Sequence, residues 1–294
     1  MEGLRAVWRN RYNYLFVLPA VLLFAVFTVY PIIKTLQLSV YRWDGVSRPV
    51  YAGFANFAQV WQDAAWWQSL VNGGYFTLFA IVGMVPLALV LALAVGARLP
   101  AAGFFRAVFY FPVMMSQVVV GFIWKWIYDP YSGILNAFLS WLGLAPLARA
   151  WLSDPHTALP AVSVASIWQG FGSAFILLLA GLQGIPRELY EAAEVDGADG
   201  WKRFRFVTMP LLVPVLAIVT VLTVLGAMQL LGIVMVMTNG GPGLRTEVPA
   251  LRIYKEAIQF YRLGYASAEA LVFALILMIL SFAQLWLSRR LEGE

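Results

Sequence analysis

The chain has 294 residues, of which 62% are hydrophobic and 12% are charged. Soluble globular proteins average roughly 45–50% apolar and about 25% charged residues, so this chain has more apolar surface than a soluble core could bury. Its 12 Trp, 13 Tyr and 20 Phe residues exclude a disordered chain, and the lack of Cys excludes a disulfide scaffold and thiolate metal sites. The composition therefore predicts an integral membrane protein.

The net charge of +5 and the isoelectric point near 9.5 raise the question of nucleic-acid binding. A nucleic-acid surface needs basic residues gathered on one face, with aromatic residues among them. Here Lys and Arg occur in small groups between long apolar stretches, as they do at the ends of membrane helices. We expect contact with the lipid bilayer and no nucleic-acid partner.

Six apolar stretches set the expected fold. A helix needs about 20 mostly apolar residues to cross a hydrocarbon core of about 30 Å. We predict an all-α membrane protein whose residues 1–294 form a single transmembrane domain. The six predicted spans are residues 14–38, 69–97, 104–128, 159–182, 209–237 and 263–287.

The distribution of basic residues predicts the orientation. The segments on the N-terminal side of the membrane are 1–13, 98–106, 183–206 and 288–294. They hold 11 Lys and Arg residues in about 53 positions, including Arg5, Arg9 and Arg98, whereas the three opposite loops hold 7 in about 85. Because the more basic side faces the cytoplasm, both termini should be cytoplasmic. The first span is longer than the apolar core of a signal peptide and is predicted to be a permanent anchor.

The predicted cytoplasmic segment 186–206 is the one long polar stretch, and its residues predict two short helices. Pro186 suits the first turn of a helix that continues from Arg187 to Val195. Gly197 should end that helix, and Asp199 can cap a second helix to about Phe206. Pro210 then begins the fifth span.

One side of the first short helix has the features of a docking surface. Ala192 and Ala193 are small, so the surface of another protein could approach the backbone closely. Glu191 and Glu194 stand three residues apart beside them. The alternative is an ordinary solvated loop with a helical turn, and the physical argument leaves both open.

The spacing within this segment matches a known motif. Glu191-Ala-Ala193, three residues, Gly197, nine residues and Val207-Thr-Met-Pro210 resemble the EAA motif of binding-protein-dependent ABC importer permeases. That motif has Glu-Ala-Ala, Gly and Ile-x-Leu-Pro at the same spacing, so Val207 and Met209 are the only departures. Further stretches are similar to the carbohydrate-uptake branch, the MalF-like sugar permeases of the six-span type. They are Tyr14-Leu-Phe-Val-Leu-Pro19, Trp151-Leu-Ser-Asp154 and Thr238-Asn-Gly-Gly-Pro-Gly243.

The resemblance implies a transport subunit and its partners. A second, MalG-like permease would complete the pore, and a dimer of cytoplasmic ABC ATPases would drive transport. An extracytoplasmic sugar-binding protein would deliver cargo to the bacterial or archaeal cytoplasmic membrane. This chain would carry no cofactor and no enzymatic activity, because ATP and Mg²⁺ would bind the partner ATPase. Residues 186–206 would form the coupling helix; the implied coupling residues are Glu191, Ala192, Ala193, Asp196, Gly197 and Pro210.

The same register implies a cargo path on the fourth and fifth spans. The residues that it places there are Ser166, Gln169, Gly170, Ser173, Thr223, Gly226, Ala227 and Leu230. Gln229 joins them because an amide at membrane depth needs hydrogen-bond partners, which sugar hydroxyl groups could supply. For each small residue the alternative is plain helix–helix packing.

Other transport and enzyme classes remain as alternatives. A secondary transporter needs ionisable groups inside its spans, and only Lys34, Lys125 and Glu269 come near, all at span ends. Glu269 could lie near the outer surface, contact the partner permease or touch cargo. An intramembrane enzyme would need a catalytic constellation at membrane depth that the sequence does not offer. A polyol or glycerol phosphate remains an alternative cargo, although a phosphate would favour Arg or Lys in the cavity.

Overall fold

A computed structural model describes residues 11–96 and 102–292, and most of these residues are helical. Five segments in this part of the chain are long and apolar enough to cross a membrane: Leu15–Leu38, Ala64–Gly96, Ala158–Gln183, Gly200–Met237 and Leu263–Leu287. Ala102–Met114 and Gln117–Ile127 meet at a 97° bend and make a sixth if they are counted as one broken span. The predicted all-α class is confirmed. Arg5, Arg9 and Arg98, which entered the charge count, lie outside the described residues.

Most predicted spans agree with the helices to within a few residues. The helices are α1 (Arg11–Phe24), α2 (Tyr30–Leu38), α3 (Ala55–Gln62), α4 (Ala64–Phe79), α5 (Val85–Gly96), α6 (Ala102–Tyr110), α7 (Gln117–Ile127), α8 (Ile134–Trp141), α9 (Ala158–Gln183), α10 (Arg187–Val195), α11 (Gly200–Arg203), α12 (Met209–Met228), α13 (Gly232–Met237), α14 (Pro249–Tyr254) and α15 (Leu263–Glu292). A two-stranded antiparallel hairpin consists of β1 (Tyr41–Arg42) and β2 (Val50–Tyr51).

Three of the long helices contain a wider, π-helical turn, and each turn precedes a proline. The turns are Ala25–Val29, Ala80–Met84 and Phe204–Thr208. They are followed by Pro31, Pro86 and Pro210. Proline lacks the N–H that would bond four residues back, and its ring crowds that carbonyl group. In each case the carbonyl four residues back lies inside the wide turn, so the turn lets the helix continue past the proline.

The third predicted span, residues 104–128, is bent and is not one continuous helix. After α6 a short 3₁₀ turn runs from Phe111 to Met114, and Met115 and Ser116 are extended. Pro112 starts this change, and the side chain of Ser116 caps α7 by accepting from the N–H of Val119 at 3.3 Å. The chain therefore turns sharply within the apolar stretch that was predicted as the third span.

The second predicted span begins five residues earlier than expected. Asp63 caps α4, because its carboxylate accepts from the N–H groups of Ala65 at 2.8 Å and Trp66 at 3.3 Å. Hydropathy alone placed the start at Ser69, since the polar and aromatic residues before it resemble a loop.

The described residues form two compact units. The first combines those of 1–62 with 253–273. Within it, the side-chain amide of Asn56 donates to the carbonyl oxygens of Ser39 at 2.7 Å and Tyr41 at 2.8 Å, which secures the hairpin. Gly264 at the start of α15 lies directly against the carbonyl oxygen of Tyr41, so only glycine fits there. Glu269 is fully buried within this unit.

The second unit combines residues 63–252 with the described part of 274–294. Its core is formed by α5, α9 and α12, which bury Ala88, Ala92, Phe175 and Leu212. Small residues let these helices approach closely: a Cβ atom on Gly181 would lie 2.9 Å from a methyl group of Val215. This packing positions the polar face of α9 beside α12.

Candidate functional site

A cavity of about 250 Å³ lies in the second unit, beside α9 and α12. Eight of the nine residues predicted for the cargo path line it: Ser166, Gln169, Gly170, Ser173, Thr223, Gly226, Ala227 and Leu230. The ninth, Gln229, is exposed at the end of α12 and is not among the lining residues. The fold thus brings together two groups of residues that lie about 50 positions apart in the sequence.

The extended residues between α6 and α7 are bonded to the cavity wall. The side-chain amide of Gln169 donates to the carbonyl oxygen of Met115 at 2.7 Å. Because Met115 lies outside any helix, its carbonyl group has no partner within a helical turn. Gln169 satisfies it, as helix breaks inside a membrane require. Gln169, which we expected to bind cargo, therefore stabilises the extended residues between α6 and α7.

A second glutamine does the same for the break between α12 and α13. The side-chain oxygen of Gln117 accepts from the N–H of Gly232 at 2.8 Å, and Gln117 also lines the cavity. A Cβ atom on Gly232 would lie 2.7 Å from the Cβ of Gln117, so this approach requires glycine. Two amide side chains thus join two broken helices at the cavity.

The described residues that line the cavity carry no charged group. The hydroxyl group of Ser166 is used within its own helix, where it donates to the carbonyl oxygen of Ser163 at 2.9 Å. The hydroxyl groups of Ser173 and Thr223 make no hydrogen bond to any of the described residues. The cavity therefore offers neutral hydrogen-bonding groups on an apolar wall.

Eight lining residues were not predicted from the sequence, and two of them make specific contacts at the cavity. Gln117 and Met84 both line the cavity, and a Cβ atom on Gly170 would lie 3.0 Å from the sulfur of Met84. The polar pair Ser116-Gln117 directly after Pro112 was the available signal for Gln117. No sequence signal distinguishes Met84 from a lipid-facing residue.

The predicted pair of short helices in segment 186–206 is present in part. α10 spans Arg187–Val195 as predicted, but Pro186 is its N-cap rather than a first-turn residue. Gly197 has a φ of +73°, and its N–H donates to the carbonyl oxygen of Glu194 at 3.0 Å. This left-handed turn ends α10 as the sequence predicted. Asp199 caps α11 by accepting from the N–H of Lys202 at 2.8 Å.

The second short helix is not separate from the fifth predicted span, which corrects the prediction that Pro210 begins that span. α11, the turn Phe204–Thr208 and α12 form one continuous helical segment. No Gly or Pro interrupts residues 201–209, so the helix has no reason to end there. Pro210 itself is exposed and lies in the first turn of α12.

Two contacts hold α10 against this long segment. The hydroxyl groups of Tyr190 and Thr208 lie 3.0 Å apart, and Thr208 is buried. Glu194 and Arg203 form an ion pair at 3.5 Å between exposed side chains. Both contacts involve residues that the sequence did not single out as a pair.

The rest of α10 faces outward. Glu191, Ala192 and Asp196 are exposed, and Ala193 is half-buried. Large apolar side chains lie nearby: Val195 is 88% exposed and Trp201 is 69% exposed. Exposed apolar side chains beside acidic ones are typical of a surface that another protein covers.

Comparison with known proteins identifies the family. Residues 84–293 match the family described as binding-protein-dependent transport system inner membrane component. A probable ABC transporter permease protein of Bacillus subtilis, YurN, is 36% identical, with 92% of this chain and 94% of that protein covered. The lactose transport system permease protein LacF of Rhizobium radiobacter is 34% identical, with 94% of each chain covered. The trehalose/maltose transport system permease protein MalF of Thermococcus litoralis is 32% identical over 94% of this chain and 92% of that one.

Solved structures agree on the fold. A chain from a bacterial ABC transporter involved in the import of the acidic polysaccharide alginate has a TM-score of 0.84 and is 24% identical, with 99% of each chain covered. The same type of transporter in complex with an alginate pentasaccharide-bound periplasmic protein gives a TM-score of 0.83 at 23% identity, covering 98% of this chain and 97% of that one. The chain has the ABC importer permease fold and belongs to the binding-protein-dependent transport system inner membrane component family, as a permease subunit and not an enzyme.

Proposed function

We propose that this chain forms half of the translocation pore of an ATP-driven sugar importer and that its cavity binds the sugar in transit. The observation that carries the proposal is the convergence of eight predicted cargo residues on one cavity. Such convergence is typical of ligand sites, where apolar walls carry a few polar groups that set orientation.

The chemistry of the lining supports a neutral sugar as cargo. The hydroxyl groups of Ser173 and Thr223 and the amide of Gln117 match the hydroxyl groups of a sugar. A phosphate would be expected to need Arg or Lys, and none of the described lining residues is basic. The named cargoes of two similar permeases, lactose and trehalose/maltose, belong to the same class.

The proposed topology has six spans, with both termini in the cytoplasm of a bacterial or archaeal cell. The bent pair of α6 and α7 counts as one broken span, and the denser basic segments lie inside. A second, MalG-like permease completes the pore, and an extracytoplasmic sugar-binding protein delivers cargo. Segment 186–206 docks a dimer of ABC ATPases, which bind the ATP and Mg²⁺, so this chain itself carries no cofactor. The exposure of Glu191, Val195 and Trp201 supports this docking role.

Filling the cavity tests the proposal. A Cβ atom on Gly226 meets no atom within 4 Å, so the side chain of Gly226→Leu would occupy the cavity without displacing the helices. We expect ATP-driven uptake of radiolabelled maltose, trehalose or lactose to fall about tenfold or more, since pocket volume changes of this size cost ~1–3 kcal/mol. Membrane vesicles with the complete importer would be used.

Gly74→Leu is the matched control. Gly74 lies within α4 and is exposed, and a Cβ atom on it would likewise meet no atom within 4 Å, but it does not line the cavity. Both variants replace a helical glycine, so their effects on helix stability should be alike. Equal uptake by the two variants would contradict the assignment of the cavity to cargo.

A further inference from the structure

The first unit contains a second, basic cavity that none of the predicted cargo residues lines. It has a volume of about 390 Å³ and is lined by residues between positions 42 and 59 and between 261 and 265. Arg42, Arg48 and Arg262 line it, together with Trp43, Tyr261 and Tyr265. Three arginines beside three aromatic side chains make this cavity chemically unlike the neutral one.

Two of the three arginines are available to a ligand. Arg262 is half-exposed, forms an ion pair with the buried Glu256 at 3.0 Å and lies over the ring of Tyr265 at 4.3 Å. Arg42 and Arg48 are exposed, and their side chains have no acidic partner among the described residues. Guanidinium groups bind phosphate oxygens in a bidentate geometry, so two unengaged arginines favour a phosphate-bearing ligand.

The loop that carries Arg48 is held by its own hydrogen bonds. One carboxylate oxygen of Asp44 accepts from the N–H of Val46 at 2.9 Å and from the N–H and hydroxyl of Ser47 at 2.7 and 2.8 Å. The indole N–H of Trp43 donates to the carbonyl oxygen of Ser47 at 2.8 Å. The bonds from Val46 and Ser47 lower the pKa of Asp44 to about 2, so it is ionised at neutral pH and offsets one of the three positive charges.

We propose that this cavity binds the phosphate group of a membrane phospholipid. The helices that lead to it, Leu15–Leu38 and Leu263–Leu287, are apolar, and the chain itself buries 0% and 6% of their most apolar windows. Arg42 follows the end of the first by four residues, and Arg262 directly precedes the second. That spacing puts the arginines at the depth of lipid headgroups, where Trp and Tyr also concentrate.

A lipid fits this position better than a soluble ligand. A phospholipid can place its phosphate on the arginines while its acyl chains follow the uncovered apolar helices, so both parts of the ligand find a matching surface. The inference rests on the proposed function in one respect: the topology proposed above, with both termini in the cytoplasm, places this headgroup in the outer leaflet. Lipid binding is measured without cargo or ATP, so its failure can be distinguished from failure of the transport proposal.

The test is native mass spectrometry of the intact assembly, extracted in mild detergent and titrated with dioleoylphosphatidylglycerol. We expect the wild-type protein to retain a lipid that Arg48→Gln binds about tenfold more weakly, as expected for losing a charged hydrogen-bonding partner. Arg42→Gln should behave in the same way. Arg48→Lys should recover part of the affinity, because it restores the charge without the planar fork.

Arg245→Gln is the matched control, since Arg245 is an exposed arginine in another loop and does not line this cavity. It should retain lipid as the wild type does. Equal lipid retention by Arg48→Gln, Arg42→Gln and Arg245→Gln would overturn the proposal. Binding of inorganic phosphate as tight as that of the lipid would overturn the assignment to a lipid, because the acyl chains would then contribute nothing. A loss of binding-protein affinity in Arg48→Gln with lipid retention unchanged would also overturn it.

Discussion

The neutral cavity and segment 186–206 are two candidate functional regions that the chain builds in opposite ways. The cavity depends on hydrogen bonds between distant residues, such as Gln169 with Met115 and Gln117 with Gly232. Segment 186–206 depends mostly on bonds within a few residues, such as Gly197 with Glu194 and Lys202 with Asp199. Local bonds make the segment recognisable as a motif, whereas the cavity exists only once the helices have packed.

The two regions should respond differently to mutation. A change at the turn at Gly197 should alter α10 and leave the membrane helices intact, because few side-chain contacts connect α10 to them. A change at a bond between helices should weaken the fold as well as transport, since it leaves a backbone group without a partner.

The largest effect is expected from Gly197→Pro. Gly197 has a φ of +73°, which proline cannot adopt because its ring fixes φ near −65°. Proline also lacks the N–H that Gly197 donates to the carbonyl oxygen of Glu194. The combined local cost is about 2–4 kcal/mol, enough to disorder the end of α10. ATP-driven uptake should be lost, while the amount of protein in the membrane, measured by immunoblot, should stay near the wild-type level.

Gly200→Pro is the control for this experiment. Gly200 is the first residue of α11, where proline is well tolerated, and Asp199 before it is already extended. Uptake should remain close to wild type. If Gly197→Pro transports as well as Gly200→Pro, the turn at Gly197 has no part in coupling.

A smaller loss is expected from Gln169→Leu. The carbonyl group of Met115 would lose its partner inside the membrane, at a cost of about 1–3 kcal/mol. We expect a lower midpoint of thermal unfolding in detergent and reduced uptake. Gln229→Leu should change neither, because Gln229 is exposed and does not line the cavity. Equal destabilisation by the two variants would mean that the bond from Gln169 to Met115 does not stabilise the fold.

Glu191→Lys should weaken attachment of the ATPase. Glu191 is exposed on α10, and an exposed ion pair with a partner is worth only about 0.2–1 kcal/mol. Charge reversal should therefore reduce the amount of ATPase that co-purifies without abolishing it, and the reduction should grow at low salt. Glu188→Lys, in the first turn of the same helix, makes the same charge change outside the motif. If it has the same effect, general charge and not Glu191 controls docking.

The smallest effect is expected from Glu194→Gln. It removes the ion pair with Arg203, but the two side chains are 72% and 35% exposed, so solvent screens the pair and its loss should cost less than about 1 kcal/mol. Uptake should stay near the wild-type level. A loss as severe as that of Gly197→Pro would mean that α10 is held by this pair and not by its own turn.

Several features were predictable because they depend on short-range physics. Composition and apolar length predicted the helical class and the approximate spans. The residue types between Pro186 and Asp199 predicted the first and last residues of α10 to within one position. The motif register predicted eight of the residues that line the cavity. Capping and left-handed turns involve neighbours in the sequence, so the residue types alone indicate them.

The differences between sequence and structure have equally physical causes. The apolar pattern of residues 104–128 predicted one span, and hydropathy does not record how sharply the chain turns between Pro112 and Ser116. Gln229 was assigned to the cargo path on polarity; it lies at the C-cap of α12 and is not among the residues that line the cavity. Gln117 was left out because nothing near it in the sequence shows that Gly232 would meet it.

By itself, the sequence determined that this chain is a helical membrane protein with a left-handed turn at Gly197, since these depend on composition, hydropathy and local backbone preference. Only the tertiary structure decided that Gln117 and Gln169 join two broken helices around one neutral cavity, and that three arginines line another. Those arrangements bring together groups far apart in the chain, and their partners are chosen by packing and by the need to satisfy every buried backbone group.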